Sequence, residues 1–308
     1  MHTRRSPRFA VSLALSIVAA SVFMGLLNAQ DITLRNRPDT LKFAIIGDSG
    51  TGSSAQYRVA KQLWDSHARY PYEFVVMLGD NLYGGSRDTD YKKKFEDPYK
   101  PILDAKIKFY ASLGNHDSSN ATLYKLFNMN GERCYTFSPK PGVRFFALDS
   151  NYMDRTQLAW LEKELAASGS DWKIAFFHHP LYSSGGRHGS DLQLRALLEP
   201  LFLKYGVDLV LAGHEHFYER IKPQKGIYYF ISGGAGKLRG GDVGPGSELT
   251  AKGFDTGYHF MLMELDKDAL HFQAISDQGK TVDSGTLARF NDEARRKMAG
   301  TVISPRAR

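Results

Sequence analysis

The chain has 308 residues, 42 % hydrophobic and 24 % charged, which is the composition of an ordinary globular protein able to bury one large core or two small ones. Its net charge of +7 does not describe a nucleic-acid surface. Three arginines in residues 1–29 and an excess of six bases over two acids in 289–308 account for all of it, leaving 30–288 neutral with no basic stripe.

Residues 1–29 read as a signal peptide. Arg4, Arg5 and Arg8 precede an apolar run from Val11 to Leu27, and Asn28-Ala29 offers a cleavage point ahead of Gln30. The expected location is therefore exported, periplasmic or extracellular. An uncleaved anchor is the alternative, since the run reaches the lower limit of about 17 residues for a spanning helix. With the leader cleaved, no stable membrane partner is expected. The Arg4-Arg5 pair hints at a twin-arginine signal, although its spacing to Phe9 is imperfect.

From Leu41 to Gly52, LKFAIIGDSGTG is an apolar strand that breaks at Gly47 and delivers Asp48 to its carboxyl end. Ser53–Arg69 follows as a predicted helix with Val59, Leu63 and Trp64 on one face. The strand-then-break plan recurs in FVVMLGDNLY (Phe74–Tyr83) and KFYASLGNHD (Lys108–Asp117). Cys134, the only cysteine, lies in a strand-like CYTFSP run and reads as a small buried hydrophobe, so stability rests on the core without an intramolecular disulfide. Arg155–Ala167 places Leu158, Leu161 and Leu165 at helical spacing, WKIAFFHHP (Trp172–Pro180) is a fourth strand ending, Asp191–Tyr205 a third helix, and VDLVLAGHEH (Val207–His216) a fifth strand ending.

Beyond His216 the pattern changes to strands separated by turns: KGIYYFISG, GYHFMLMELD, ALHFQAISD and KTVDSGTL. Ser232–Asp242, SGGAGKLRGGD, lacks the spacing of a phosphate loop and reads as a flexible loop at a site's rim. Residues 289–308 form a basic tail, expected to be solvated and frayed. Together the elements predict an α/β fold in which two mixed β-sheets pack face to face with helices outside, a four-layer α/β/β/α sandwich over 40–288.

In α/β sheets ligands gather at the carboxyl ends of strands, so the five endings can converge on one place. Six of the ten histidines (His116, His178, His179, His188, His214, His216) sit in these post-strand loops. Singly each reads as a polar turn residue. Together with Asp48, Asp80, Tyr83 and Asn115 they offer the mixed nitrogen and oxygen donors that suit two adjacent iron, zinc or manganese ions.

In their order, GDSG, GDNLY, GNHD, HHP and GHEH, these blocks resemble the motifs of calcineurin-like metallophosphoesterases, and specifically of purple acid phosphatases, including the tartrate-resistant type, over Leu41 to Leu287. The wider superfamily has Asp-x-His in the first block; here Gly50 fills that position, and Tyr83 supplies the ligand that marks the purple enzymes. The resemblance implies that Asp48, Tyr83 and His216 hold one metal, that Asn115, His178 and His214 hold the other, and that Asp80 bridges them. It selects His178 over His179, because the family's ligand stands two residues before the proline. Cys134 stands where similar proteins often have an aromatic residue. His116 and His188 match histidines that stand next to the ligands in the family and are candidates to assist the leaving group, with a solvent-exposed loop residue as the alternative for His188.

The implied activity is hydrolysis of small phosphate monoesters, without a nucleic-acid partner. Two cations about 3.5–4 Å apart can clamp a phosphate oxygen and provide hydroxide near neutral pH. A tyrosine ligand points to Fe(III) with a divalent Fe, Zn or Mn, because a free phenol has a pKa near 10. A phosphodiesterase or nucleotide pyrophosphatase on the same scaffold, and a non-catalytic metal-binding surface protein, are the alternatives. Substrate choice is expected in the loops Gly84–Tyr91 and Gly240–Phe254.

Overall fold

The computed structural model describes residues 31–244 and 246–299. The leader, and the tail beyond residue 299, lie outside the described residues. Among these, no helix is long and apolar enough to cross a membrane.

Thirteen strands form two sheets: β1 (Leu41–Ile46), β2 (Phe74–Leu78), β3 (Lys108–Ser112), β4 (Tyr135–Phe137), β5 (Val143–Ala147), β6 (Trp172–Phe177), β7 (Leu209–Ala212), β8 (Tyr218–Gln224), β9 (Ile227–Ser232), β10 (Thr250–Phe254), β11 (His259–Leu265), β12 (Ala269–Ser276) and β13 (Thr281–Ala288). The first sheet runs β13-β12-β11-β1-β2-β3 and the second β10-β8-β9-β7-β6-β5-β4. Both are mixed. In the first, β1, β2 and β3 are parallel and β11 joins β1 antiparallel; in the second, β5, β6, β7 and β9 are parallel.

The strand period of two sorts side chains between layers. From β1, Leu41, Phe43 and Ile45 point to the space between the sheets, while Ala44 and Ile46 point outward. β2 repeats this with Phe74, Val76 and Leu78 inside and Val75 and Met77 outside. From the facing sheet, Phe145, Ile174, Phe176, Leu209 and Leu211 fill the same interior, where Phe43 meets Phe145 edge to face at 5.2 Å. Each fully buried phenylalanine there contributes about 2–3 kcal/mol by leaving water.

Helices cover the outer faces. α1 (Ser54–His67), capped by Ser53, packs Val59, Ala60 and Leu63 on the first sheet. α2 (Arg155–Ala167) and α3 (Leu192–Tyr205), capped by Asp154 and Asp191, pack Leu161, Leu165, Leu194 and Leu198 on the second. The four-layer sandwich of two mixed sheets flanked by helices is thus as expected from the sequence.

Two expectations change. Residues 289–299 are not frayed, although Glu293 and Lys297 stay exposed: α4 (Asp292–Ala299) follows β13, and Arg289 Nε and Arg295 Nη2 donate to buried Asp208 at 3.0 and 2.5 Å. A charged side chain this buried needs such partners, which only the folded chain supplies. The strand β5 was not legible either, because VRFFA is not followed by a glycine like those after β1, β2, β3 and β7.

Candidate metal centre

The sequence breaks at the strand ends have a physical cause. Gly114 and Asp80 lie against one another so closely that a Cβ on Gly114 would stand 2.2 Å from Asp80 N and 2.3 Å from its Oδ1. At Gly50 a Cβ would stand 1.9 Å from the Asn81 carbonyl oxygen. A histidine therefore has no room at the first-block position it occupies in the wider superfamily; the Asn81–Tyr83 segment fills that space and Tyr83 N donates to Gly50 O at 2.8 Å. The same turns put Asp48, Asp80 and His214 in the left-handed region, at φ of 53°, 50° and 68°. Such backbone costs on the order of 1–3 kcal/mol per residue and persists where the surroundings over-determine it.

Two groups of donor atoms result. In the first, Asp48 Oδ1 lies 3.1 Å from Tyr83 Oη and 3.4 Å from His216 Nε2, and the latter two are 3.3 Å apart. In the second, His178 Nε2 lies 3.0 Å from Asn115 Oδ1, 3.1 Å from His214 Nδ1 and 3.4 Å from Asp80 Oδ1. Asp80 also faces the first group, raising the pKa of both Asp48 and Tyr83. The structure therefore brings all seven sequence-predicted metal residues together, with Asp80 between the two groups.

The donor chemistry fits cations. Burial holds His178 neutral, and its Nδ1 lies 2.9 Å from the Leu78 carbonyl; that oxygen can only accept, which puts the ring proton on Nδ1 and a lone pair on Nε2. That lone pair faces the oxygens of Asn115 and Asp80. Acceptors crowded this way repel unless a cation lies among them, and ligands about 2.1 Å from one ion stand roughly 3.0–3.4 Å apart. Burial likewise depresses His214 to about 2 and His216 to about 4, keeping both unprotonated as ligands must be. Asp48 is pushed well above the carboxylate range by burial and then by Asp80, a cost that a neighbouring cation would relieve.

The remaining histidines divide. His116 is exposed beside Tyr83, ring centroids 4.8 Å apart, and its backbone N donates to Asp80 Oδ1 at 2.9 Å. His188, also exposed, lies 4.3 Å from the His214 ring. His179 brings a ring nitrogen within 4.8 Å of those of His178 and His214, with its Nδ1 engaged by Ser150 Oγ at 2.9 Å.

Four supporting residues escaped the sequence reading. Asp117 accepts from Asn81 N, Asn81 Nδ2, Leu82 N and Gly114 N at 2.8–3.1 Å and so ties the Asp80 loop to the Asn115 loop; burial raises it to about 7. Buried Glu215 and Glu219 fasten the His188 loop at both ends, accepting from Gly189 N at 2.7 Å and from Ser184 N at 3.1 Å. Lys237 sets its ammonium 4.2 Å from the Tyr83 ring centroid. Asp117 and Glu215 stand inside GNHD and GHEH, which was their only signal; Lys237 had only its place in the Ser232–Asp242 segment read as a rim loop, and Glu219 had none. The Ser232–Asp242 segment is only partly a rim loop, since Gly233 to Gly236 are buried and a Cβ on Gly233 would come within 2.1 Å of Glu215 O.

Comparison with known proteins gives the same picture. Tartrate-resistant acid phosphatase type 5 of Rattus norvegicus is 29 % identical over 236 residues, covering 63 % of this chain and 72 % of that protein. Purple acid phosphatase 17 of Arabidopsis thaliana is 29 % identical over 242 residues, covering 67 % and 71 %. Among solved structures, a purple acid phosphatase from yellow lupin superposes with a TM-score of 0.70 at 18 % identity, over 88 % of this chain and 58 % of that one. GAP50, described as the anchor in the inner membrane complex of Plasmodium, does so with 0.74 at 22 % identity, over 83 % and 90 %. At those identities the likeness speaks for the fold alone. The profile for calcineurin-like phosphoesterases matches residues 41–218, more than half of the chain and every strand end that carries a donor, and the protein belongs to that family.

Proposed function

We propose that this protein is an exported, dinuclear metal-dependent acid phosphatase that hydrolyses phosphate monoesters. The observation that carries this reading is the pair of donor groups with Asp80 between them. When bound, two such cations polarise the phosphoryl group and activate water near neutral pH. Asp48, Tyr83 and His216 would hold one, Asn115, His178 and His214 the other. His116 and His188, exposed beside the two groups, would supply the proton that a departing alkoxide needs. Replacing either by Ala should lower kcat by about 10² to 10⁴ on alkyl phosphates and less on aryl phosphates. An equal loss on both substrates would assign that histidine to positioning instead.

The phosphatase reading is tested by metal analysis of the purified mature protein with paired assays on p-nitrophenyl phosphate and its bis-ester. Faster turnover of the diester would make the protein a phosphodiesterase. Full metal loading without turnover would leave a binding role, as the fold shared with GAP50 allows.

Tyr83 bears on which metal is held. Burial first, then Asp48 and Asp80, push its phenol far above the usual value of 10, so only a strongly polarising cation would take it as phenolate. Fe(III) meets that requirement better than Zn(II) or Mn(II), and a ferric ion beside a divalent Fe, Zn or Mn is the proposed centre. The oxidised protein should absorb in the visible, and Tyr83→Phe should abolish the band while keeping the far-UV CD of the wild type. A colourless, active wild-type protein with two divalent ions would refute the ferric assignment and leave the phosphatase reading standing.

A further inference from the structure

A cavity of about 860 Å³ opens directly beside Asn115 and His179. It adjoins the second donor group, so a phosphoryl group held between the cations can direct its ester oxygen into it, and its volume suits a small organic group. Its walls are electrically uneven. Asp149 and Asp191 line it together with Asp117. Besides His179, the basic residue in its lining is Arg133, whose guanidinium is already committed to Asp149 at 3.2 Å and Asp154 at 3.3 Å. Asp191 spends Oδ1 on capping α3, and no basic side chain pairs with it among the described residues.

The remaining wall is Tyr152, 68 % exposed, an unusual degree for a large aromatic side chain. Arg133 lies 5.9 Å from its ring centroid, so the ring face already attracts a cation. Asp149 is paired with Arg133 and both Asp117 oxygens accept N–H groups, so it is Asp191, with the open aromatic face, that favours a cationic or neutral occupant and repels a second anionic group.

Resting on the phosphomonoesterase reading, we infer that this cavity receives the alcohol portion of the substrate and selects phosphate monoesters of amino alcohols over those of anionic alcohols. Asp191 and Tyr152 are its specificity-determining residues, and Arg133 moderates the charge they present.

The test compares kcat/KM of the metal-loaded protein on choline phosphate, glycerol phosphate and phosphoglycolate, which carry a cation, no charge and an anion on the alcohol. The expected order is choline, glycerol, glycolate, with about 10²-fold between the extremes, as two charge units acting through a partly solvated site would give. Asp191→Asn, which keeps the helix cap, should lower the choline-to-glycolate ratio about tenfold. Arg133→Gln should raise it. A merely structural defect would not move the two variants in opposite directions. Equal rates on the three esters, a preference for glycolate, or a ratio unchanged by both variants would overturn the inference. Absence of turnover on every ester, p-nitrophenyl phosphate included, would defeat the phosphatase reading instead. Calorimetric affinities for choline phosphate and phosphoglycolate would then decide the cavity's preference by the same criterion.

Discussion

Asp80→Asn should remove metal binding and turnover together, by about 10³-fold or more. Replacing even an outer-shell partner of a metal ligand commonly costs 10- to 100-fold, and in the proposed centre Asp80 would itself be a ligand. Its Oδ1 lies 3.4 Å from His178 Nε2, and the carboxylate faces Asp48 and Tyr83 on the other side. In the proposed centre it would offset the repulsion of two cations. The amide keeps the shape and one oxygen but loses the charge, so the fold should survive. Metal content by elemental analysis and kcat at saturating metal give the answer. Two metals per chain with near-native kcat in Asp80→Asn would remove Asp80 from the bridging position.

The second large effect is expected from a residue with no chemistry of its own. Gly114→Ala should cost roughly 2–3 kcal/mol of stability, as forced overpacking does. Turnover should drop about 10²-fold or more, since a displacement of about 1 Å at a positioned group has that effect. The added methyl would press on Asp80 N and Oδ1 at 2.2 and 2.3 Å, and one of its two contacts is the carboxylate oxygen proposed as a ligand. Gly114 N also donates to Asp117 at 2.9 Å, so a shift would loosen the tie between the Asp80 and Asn115 loops. Urea denaturation, metal titration and kcat should therefore all change. A variant with native stability but lost metal would mean the loop yields without disturbing the fold; native values for all three would contradict the close approach.

Much of this was legible in the chain itself, for reasons that lie in local physics. The apolar runs at Leu41, Phe74, Lys108, Trp172 and Val207 predict strands because their side chains suit a pleated, half-buried surface, and a glycine marks where four of them turn, the Trp172 run ending instead at His178-His179-Pro180. Asp48, Asp80, Tyr83, Asn115 and the six histidines His116, His178, His179, His188, His214 and His216 could be named as candidates because strand ends are where an α/β sheet gathers its chemistry, and the choice of seven ligands among them was implied by the family resemblance. The motif order carried the family.

What the sequence could not determine is set by contacts between residues far apart in the chain. Asp117 ranks as a clamp only because four N–H groups from the Asp80 and Asn115 loops converge on it. Glu219 and Lys237 acquire meaning from Ser184 and Tyr83, 35 and 154 positions away. The basic stretch after Ala288 reads as a free end until Asp208 is seen buried beneath it. The left-handed backbone of Asp48, Asp80 and His214 shows the same division. Local preference disfavours it for a residue other than glycine, and only the packing of two sheets around a common point makes it the conformation of lowest free energy.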